Sequence, residues 1–235
     1  MAEGGPELWR FLFDLDGTIL DTTNLIVESF IYTFAQGLGE VVTREDVINH
    51  FGRPLMEQLQ TLRPQLPNDE LVRLAGIFHH HDQSEHDRLV ALVPGADQGL
   101  ARLAAQGFRL GVVTSKRLDL TLQGLKMFHL EQFFEVIVHM DSTVHHKPHP
   151  EPVQHALALL EADPSQAAYV GDSPYDMCSG HDAGVRTLGL VYNTFSSEQL
   201  RQAGADCVVE SWGQVVEVLM KWASVAEVDA TIKKR

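Results

Sequence analysis

The chain has 235 residues, 44% hydrophobic and 21% charged, the balance of a globular protein long enough for one sizeable core or for a core domain carrying a smaller insert. A formal net charge of -14 argues against nucleic acid or an anionic membrane as the main partner; no stretch reaches the length of a membrane span, and the N-terminal residues lack the clean apolar run of a signal peptide. Cys178 and Cys207, the two cysteines, suggest no disulfide framework, so the expectation is a cytoplasmic protein, monomer or homodimer.

The first predicted element is a buried strand, Leu8-Trp9-Arg10-Phe11-Leu12-Phe13, which stops at Asp14-Leu15-Asp16-Gly17-Thr18. In extended backbone, residues i and i+2 share a face, so Asp14 and Asp16 converge and Gly17 lets the chain leave sharply. Two like charges held together call for a cation. From Asp21 to Gly37 the spacing of Leu25, Ile26, Ser29, Phe30, Thr33 and Phe34 predicts a helix, with Asp21 or Thr22 as its cap. Thr43 starts a second helical segment running to about His50, and Gly52-Arg53-Pro54 breaks the pattern. Helical spacing resumes over Leu55-Met56-Glu57-Gln58-Leu59, and Asn68 caps a longer helix from Asp69 to about Leu89. Between about 21 and 88 there is no strand signal.

After Val93-Pro94-Gly95 helix and strand alternate. Helices are predicted at Ala96 to Gln106, Leu118 to Phe128, Glu151 to Leu160, Asp176 to Ala183 and Trp212 to Ala226, with a loose tail from Asp229. Strands are predicted at Arg109 to Val113, Phe134 to His139, Ala167 to Val170, Arg186 to Val191 and, short, at Cys207 to Val209. Right-handed crossovers then make an α/β fold: a Rossmann-like parallel sheet core formed by residues 1–20 and 89–235, with an inserted all-helical segment of residues 21–88. The carboxyl ends of the strands open on one edge, where Asp14, Thr114, Lys147 and Asp172 can meet although they are distant in sequence.

The chemistry at that edge is legible. Asp14, Asp16 and Asp172 can hold a hard dication through oxygen, and Mg²⁺ is the expected ion. Asp176, one helical turn beyond Asp172, can orient a ligand or a nearby Lys. Thr114 and Ser115 offer hydrogen bonds to an anionic oxygen, and Lys147, flanked by Pro148 and Pro150, supplies positive charge. Such a set makes a phosphoryl-transfer site, in which one carboxylate is the nucleophile and a neighbouring carboxylic acid protonates the leaving oxygen.

With these residues in view, the sequence resembles the haloacid dehalogenase-like superfamily of phosphohydrolases over nearly its whole length. The motifs stand in the family's order: Asp14-Leu15-Asp16-Gly17-Thr18, the strand ending in Thr114, Lys147-Pro148, and Gly171-Asp172-Ser173-Pro174-Tyr175-Asp176. The resemblance implies that Asp14 attacks phosphorus, that Asp16 is general acid and then general base, and that Thr114 and Lys147 bind the phosphoryl oxygens. It implies further that Mg²⁺ is held by Asp14, the Asp16 carbonyl and Asp172, with Asp176 in support. The helical stretch looks like the family's mobile cap, in which Arg53 is the candidate for a second anionic group on the substrate.

Rival activities separate on single residues. Dehalogenase relatives lack an acid at the position of Asp16; phosphonate-cleaving relatives need a cap Lys, yet the first Lys here is Lys116; mutase relatives carry a His where Ile26 stands. The expectation is a Mg²⁺-dependent phosphatase for a small phosphorylated metabolite, similar to phosphoglycolate phosphatases. A pyrophosphatase, a sugar-phosphate mutase and a non-catalytic phospho-ligand-binding protein follow in that order. His79-His80-His81 with His86, and His145-His146 with His149, are read as exposed surface rather than a metal site, and Cys178 as structural.

Overall fold

A computed structural model of the chain describes residues 9–51 and 53–233. The central strand β1 spans Arg10–Phe13, where Phe11, Leu12 and Phe13 are wholly buried, as a strand flanked on both sides and covered on both faces requires. It pairs in parallel with β4 (Arg109–Val113) and β6 (Ala167–Gly171). Beyond β4 lies β5 (Phe134–Val138), and beyond β6 lie β7 (Arg186–Leu190) and β8 (Cys207–Val209), giving a six-stranded parallel sheet in the order β5-β4-β1-β6-β7-β8.

The strand period of two divides the core. Phe11, Phe13, Leu110, Val112, Ala168 and Val170 face α5 (Ala96–Ala105) and α10 (Trp212–Lys233), within one apolar cluster. Leu12, Val113, Ala167 and Tyr169 face the other way, onto Val153, Ala156 and Leu157 of α7 (Glu151–Leu159). Trp212 stacks on Phe13 at 5.4 Å and donates its indole N–H to the Thr18 carbonyl at 2.8 Å, which ties the terminal helix to the turn after β1.

Helices α1 (Thr23–Leu38), α2 (Arg44–Ile48), α3 (Leu55–Leu62) and α4 (Asn68–Leu89) lie between β1 and α5 in the chain. They bury their own cluster, with Phe30, Phe34, Leu59 and Leu74 fully enclosed. Thr43 and Asp46 form the reciprocal capping box that starts α2. The segment is not purely helical at its edges. β2 (Leu20–Asp21) and β3 (Ala91–Leu92) pair as a short antiparallel ribbon, so Asp21 is a strand residue and the helix begins at Thr23. Two residues per strand carry no periodicity to read.

The remaining helices are α6 (Leu118–Met127), α8 (Pro174–Asp182) and α9 (Ser197–Gln202). Sequence periodicity missed α9, which is too short to show any. It also ended α10 early: the helix continues through Lys233, over most of the tail expected to be loose. Gly52, Lys234 and Arg235 lie outside the described residues, as does Leu8 at the start of the expected first strand. No helix among the described residues is long and apolar enough to cross a membrane.

Candidate active site

Each acid owes its place to a strand end. The Asp14 backbone N–H continues the ladder to the Val170 carbonyl at 2.9 Å, and the Thr114 N–H does the same to Val138 at 2.9 Å. Asp172 follows the last residue of β6. The Lys147 loop is held by two staples. Glu151 accepts from the backbone N–H groups of Val144 and His145, at 3.2 and 3.0 Å, and Ser179 donates to the His149 carbonyl at 2.9 Å.

Lys147 is the hub. Its Nζ donates to Asp14 Oδ1 and to Asp176 Oδ1, both at 2.6 Å, with Tyr169 Oη at 3.3 Å. Tyr169 Oη in turn lies 2.9 Å from Asp176 Oδ1 and 3.0 Å from the Val113 carbonyl. Asp176 divides its carboxylate: Oδ1 receives Lys147, while Oδ2 accepts from Ser173 Oγ at 2.6 Å and from the Ser173 N–H at 3.1 Å, closing the capping box of α8. Two glycines make room for this packing. A Cβ on Gly17, whose φ is +85°, would lie 2.3 Å from Asp172 Oδ2, and one on Gly171 would lie 2.4 Å from Asp176 Cβ.

Burial governs the ionisation of the cluster. It pushes Asp14 up to about 7, although Lys147 pulls the other way, and it pushes Asp172 well above the carboxylate range with help from the charges of Asp176 and Asp14. For Lys147 burial works downward, but Asp14 and Asp176 outweigh it and hold the ammonium above its ordinary pKa. Burial, followed by the nearby charges of Asp176 and Asp14, raises Tyr169, which stays a neutral hydrogen-bonding group.

Asp14, Asp172 and Asp176 each offer an oxygen within 4.8 Å of the others, a hard-donor set suited to a dication. Both Asp176 oxygens are already engaged, which leaves Asp14 and Asp172 as the carboxylates best placed to bind an ion directly. An ion held by so few carboxylates would keep most of its water. A bound dication would also reverse the upward drift of Asp14 and Asp172 and keep both ionised.

The Asp16 carboxylate stands outside that trio. It accepts from Lys116 Nζ at 3.1 Å, and the pair is largely buried, at 24% and 9% side-chain exposure. Lys116 follows Thr114 by two residues, and its own N–H donates to Thr114 Oγ1 at 3.1 Å. Burial works to lower the Lys116 pKa, but Asp16 and then Asp82 raise it. Lys116, Tyr169 and Asp82 are the participants that motif spacing did not single out; for Lys116 the available signal was its position just past a strand end.

A pocket of about 160 Å³ opens over these groups, lined by Asp14, Asp16, Thr114, Ser115, Lys147 and Asp172 and, from the helical segment, by Arg53. Arg53 Nε donates to Tyr175 Oη at 2.7 Å, joining the helical segment to the first turn of α8. The histidine stretch is not uniformly exposed. His79 lines the pocket, His81 Nδ1 meets Ser29 Oγ at 3.0 Å, and His86 is fully buried with its Nδ1 3.1 Å from Asp87. Adjacent helical positions point apart, so these rings do not converge.

Comparison with known proteins agrees with this architecture. The family model described as haloacid dehalogenase-like hydrolase matches residues 11–190. A relative named pyrophosphatase PpaX from Bacillus pumilus is 36% identical over 88% of this chain and 94% of its own length. Another of that name, from Anoxybacillus flavithermus, is 35% identical over 88% and 95%. A solved structure described as a "predicted phosphoglycolate phosphatase" from Haemophilus somnus 129PT superposes with a TM-score of 0.83 at 23% identity, covering 92% of this chain and 99% of that one.

Proposed function

The chain belongs to the haloacid dehalogenase-like hydrolases, and from that membership we propose that it is a Mg²⁺-dependent phosphohydrolase acting on a small phosphorylated metabolite through an aspartyl-phosphate intermediate. The observation that carries this reading is the buried Asp14–Lys147–Asp176 arrangement, whose Asp14 and Lys147 line one pocket together with Asp172. Asp14 and Asp172 would hold the ion, with Asp176 in support and the Asp16 backbone carbonyl as a further oxygen, and the metal would neutralise the acids and the substrate phosphate. An Asp14 carboxylate oxygen bonds to phosphorus as the bond to the leaving oxygen breaks, and Asp16 gives that oxygen its proton. Asp16 then takes a proton from water, which attacks phosphorus and releases phosphate and free Asp14. Lys147, Thr114 and Ser115 bind the phosphoryl oxygens throughout.

Residues 21–88 act as the cap over a core of residues 1–20 and 89–235. Their separate apolar cluster and the β2–β3 ribbon at their base support a body that opens and closes over the pocket. Arg53, in the pocket and bonded to Tyr175, would read a second anionic group and hold the closed state. The pocket is smaller than the ~300–1,000 Å³ usual for drug-sized ligands, which favours a substrate of few atoms. Phosphoglycolate is the first substrate of that kind; a pyrophosphatase is the second reading, favoured by the names of the relatives above. Phosphate release in Mg²⁺ from phosphoglycolate, pyrophosphate, sugar phosphates, nucleoside monophosphates and an aryl phosphate tests the proposal. Release that depends on Mg²⁺ and vanishes in Asp14→Asn supports it; ligand binding without release from any of them would leave a phospho-ligand-binding protein.

A further inference from the structure

The two chain crossings between the sheet core and the helical segment are held unequally. In the β2–β3 ribbon Leu20 stands opposite Leu92 and Asp21 opposite Ala91, so Asp21 brings its one polar side chain. That carboxylate is taken up by the loop that follows β7, 171 and 172 positions away. Tyr192 Oη donates to Asp21 Oδ2 at 2.9 Å, and Asn193 Nδ2 stands 3.4 Å from both carboxylate oxygens and donates to Thr23 Oγ1 at 3.1 Å. Asp21 Oδ1 also accepts the Thr23 N–H at 3.1 Å, so one carboxylate ties the start of α1 to both loop residues. The turn that aims these donors is sharp. The Thr194 N–H returns to the Tyr192 carbonyl at 2.5 Å, and Asn193 sits at φ +47°, a left-handed conformation that asparagine tolerates better than most residues. Burial and then Asp21 push the Tyr192 hydroxyl up to about 12, so it remains a donor at neutral pH.

Tyr192, Asn193, Thr194 and Phe195 also line the pocket, as do Thr22 and Thr23. The same loop therefore touches both the occupant of the pocket and the strand on which the helical segment would pivot. We propose that Tyr192 and Asn193 are positioning residues: by gripping Asp21 and Thr23 they latch the first crossing and hold the helical segment over the pocket, so that occupancy of the pocket and closure of the segment support one another. The inference rests on the reading of residues 21–88 as a moving cap on a phosphohydrolase. A hydrogen bond donated to a carboxylate is stronger than one between neutral groups, and two donors converge on this one, whereas Ala91 and Leu92 of the second crossing offer no side-chain hydrogen bond. An opening that swings α1 away breaks the Asn193–Thr23 bond, so its cost falls on the first crossing while the second is free to flex. By linkage, a ligand that orders the loop favours the latched form by the same factor by which the latch favours the ligand.

The test uses two near-isosteric variants of the full chain. Tyr192→Phe keeps the ring packed against the core cluster and removes only the hydroxyl; Asn193→Asp keeps the shape and the tolerance of φ +47° but faces Asp21 with a like charge. In hydrogen–deuterium exchange without substrate, the amides of residues 20–23 and 91–93 should exchange about 3–10-fold faster than native, the ratio that one hydrogen bond supplies, with Asn193→Asp ahead of Tyr192→Phe and with β1, β4 and β6 unchanged. Hydrolysis in Mg²⁺ of phosphoglycolate or pyrophosphate, whichever the native protein cleaves faster, should show KM raised by about 3–10-fold and kcat within about twofold, because a smaller latched fraction weakens apparent affinity and saturating substrate restores it. Exchange at the crossings that matches native, or that rises equally in β1, β4 and β6, overturns the latch; so does faster exchange at the crossings with KM unchanged. A native protein that releases phosphate from neither substrate overturns the phosphohydrolase reading instead, and the exchange then decides alone whether Tyr192 and Asn193 hold the crossing.

Discussion

Replacing Lys147 by Met keeps most of the side chain's length and removes its charge, which isolates the electrostatic role of the residue at the centre of the site. In the native chain the ammonium stands 2.6 Å from both Asp14 Oδ1 and Asp176 Oδ1, and the three side chains are 5%, 8% and 1% exposed, so solvent screens the contacts little. Removing one partner of such a buried set costs about 3–5 kcal/mol, because the charges left behind are uncompensated. For a chain of this size each kcal/mol lowers the melting temperature by about 2–4 °C, so Lys147→Met should melt roughly 6–20 °C below native in metal-free buffer. Saturating Mg²⁺ should recover part of that loss by supplying positive charge to the same carboxylates, while phosphate release stays down by about 100-fold or more for want of the phosphoryl contact. Differential scanning calorimetry with chelator and with Mg²⁺ reads both effects. A metal-free variant melting within about 2 °C of native would refute the reasoning, since the arrangement would then be electrostatically idle.

Asp14→Asn should abolish turnover with the fold intact, and phosphate release above a few per cent of native would remove Asp14 from the nucleophile role. Gly17→Ala places a Cβ 2.3 Å from Asp172 Oδ2 on backbone at φ +85°, so it should weaken Mg²⁺ affinity at least tenfold, read by the Mg²⁺ dependence of the rate. Burial raises Asp14 to about 7 and Asp172 well above the carboxylate range, so at about pH 6.5 the metal-free site holds protons that Mg²⁺ must displace. Calorimetric Mg²⁺ titrations should therefore show binding that tightens as pH rises and an enthalpy that varies with the ionisation heat of the buffer; a buffer-independent enthalpy would contradict the shifts. Arg53→Ala should raise KM for phosphoglycolate about tenfold while changing an aryl phosphate far less, and equal effects on both would end its role with a second anionic group.

How much could be read before folding follows from the range of each interaction. The alternation of Phe11, Leu12 and Phe13 across two faces, the Thr43–Asp46 and Ser173–Asp176 capping boxes and the strand endings at Asp14, Thr114 and Asp172 all depend on residues within a few positions of one another. Local periodicity and turn chemistry therefore determined the order of the six sheet strands and the longer helices, the parallel sheet and the edge at which the acids gather. Partner choice was decided elsewhere. Asp16 is separated from Lys116 by 100 positions and Asp14 from Lys147 by 133, so only the approach of β1, β4 and the Lys147 loop settles which carboxylate each ammonium takes. The linear motif left open whether Asp176 orients a ligand or a nearby Lys; in three dimensions Lys147 and Ser173 use both its oxygens. Asp82 sits in an unremarkable helical run, and its burial against the pocket, where its charge acts on Lys116, exists only once α4 has packed. Short-range rules placed the chemistry at one edge, and long-range packing in a dry interior, where each charge must find a partner or remain strained without one, decided what that edge can hold.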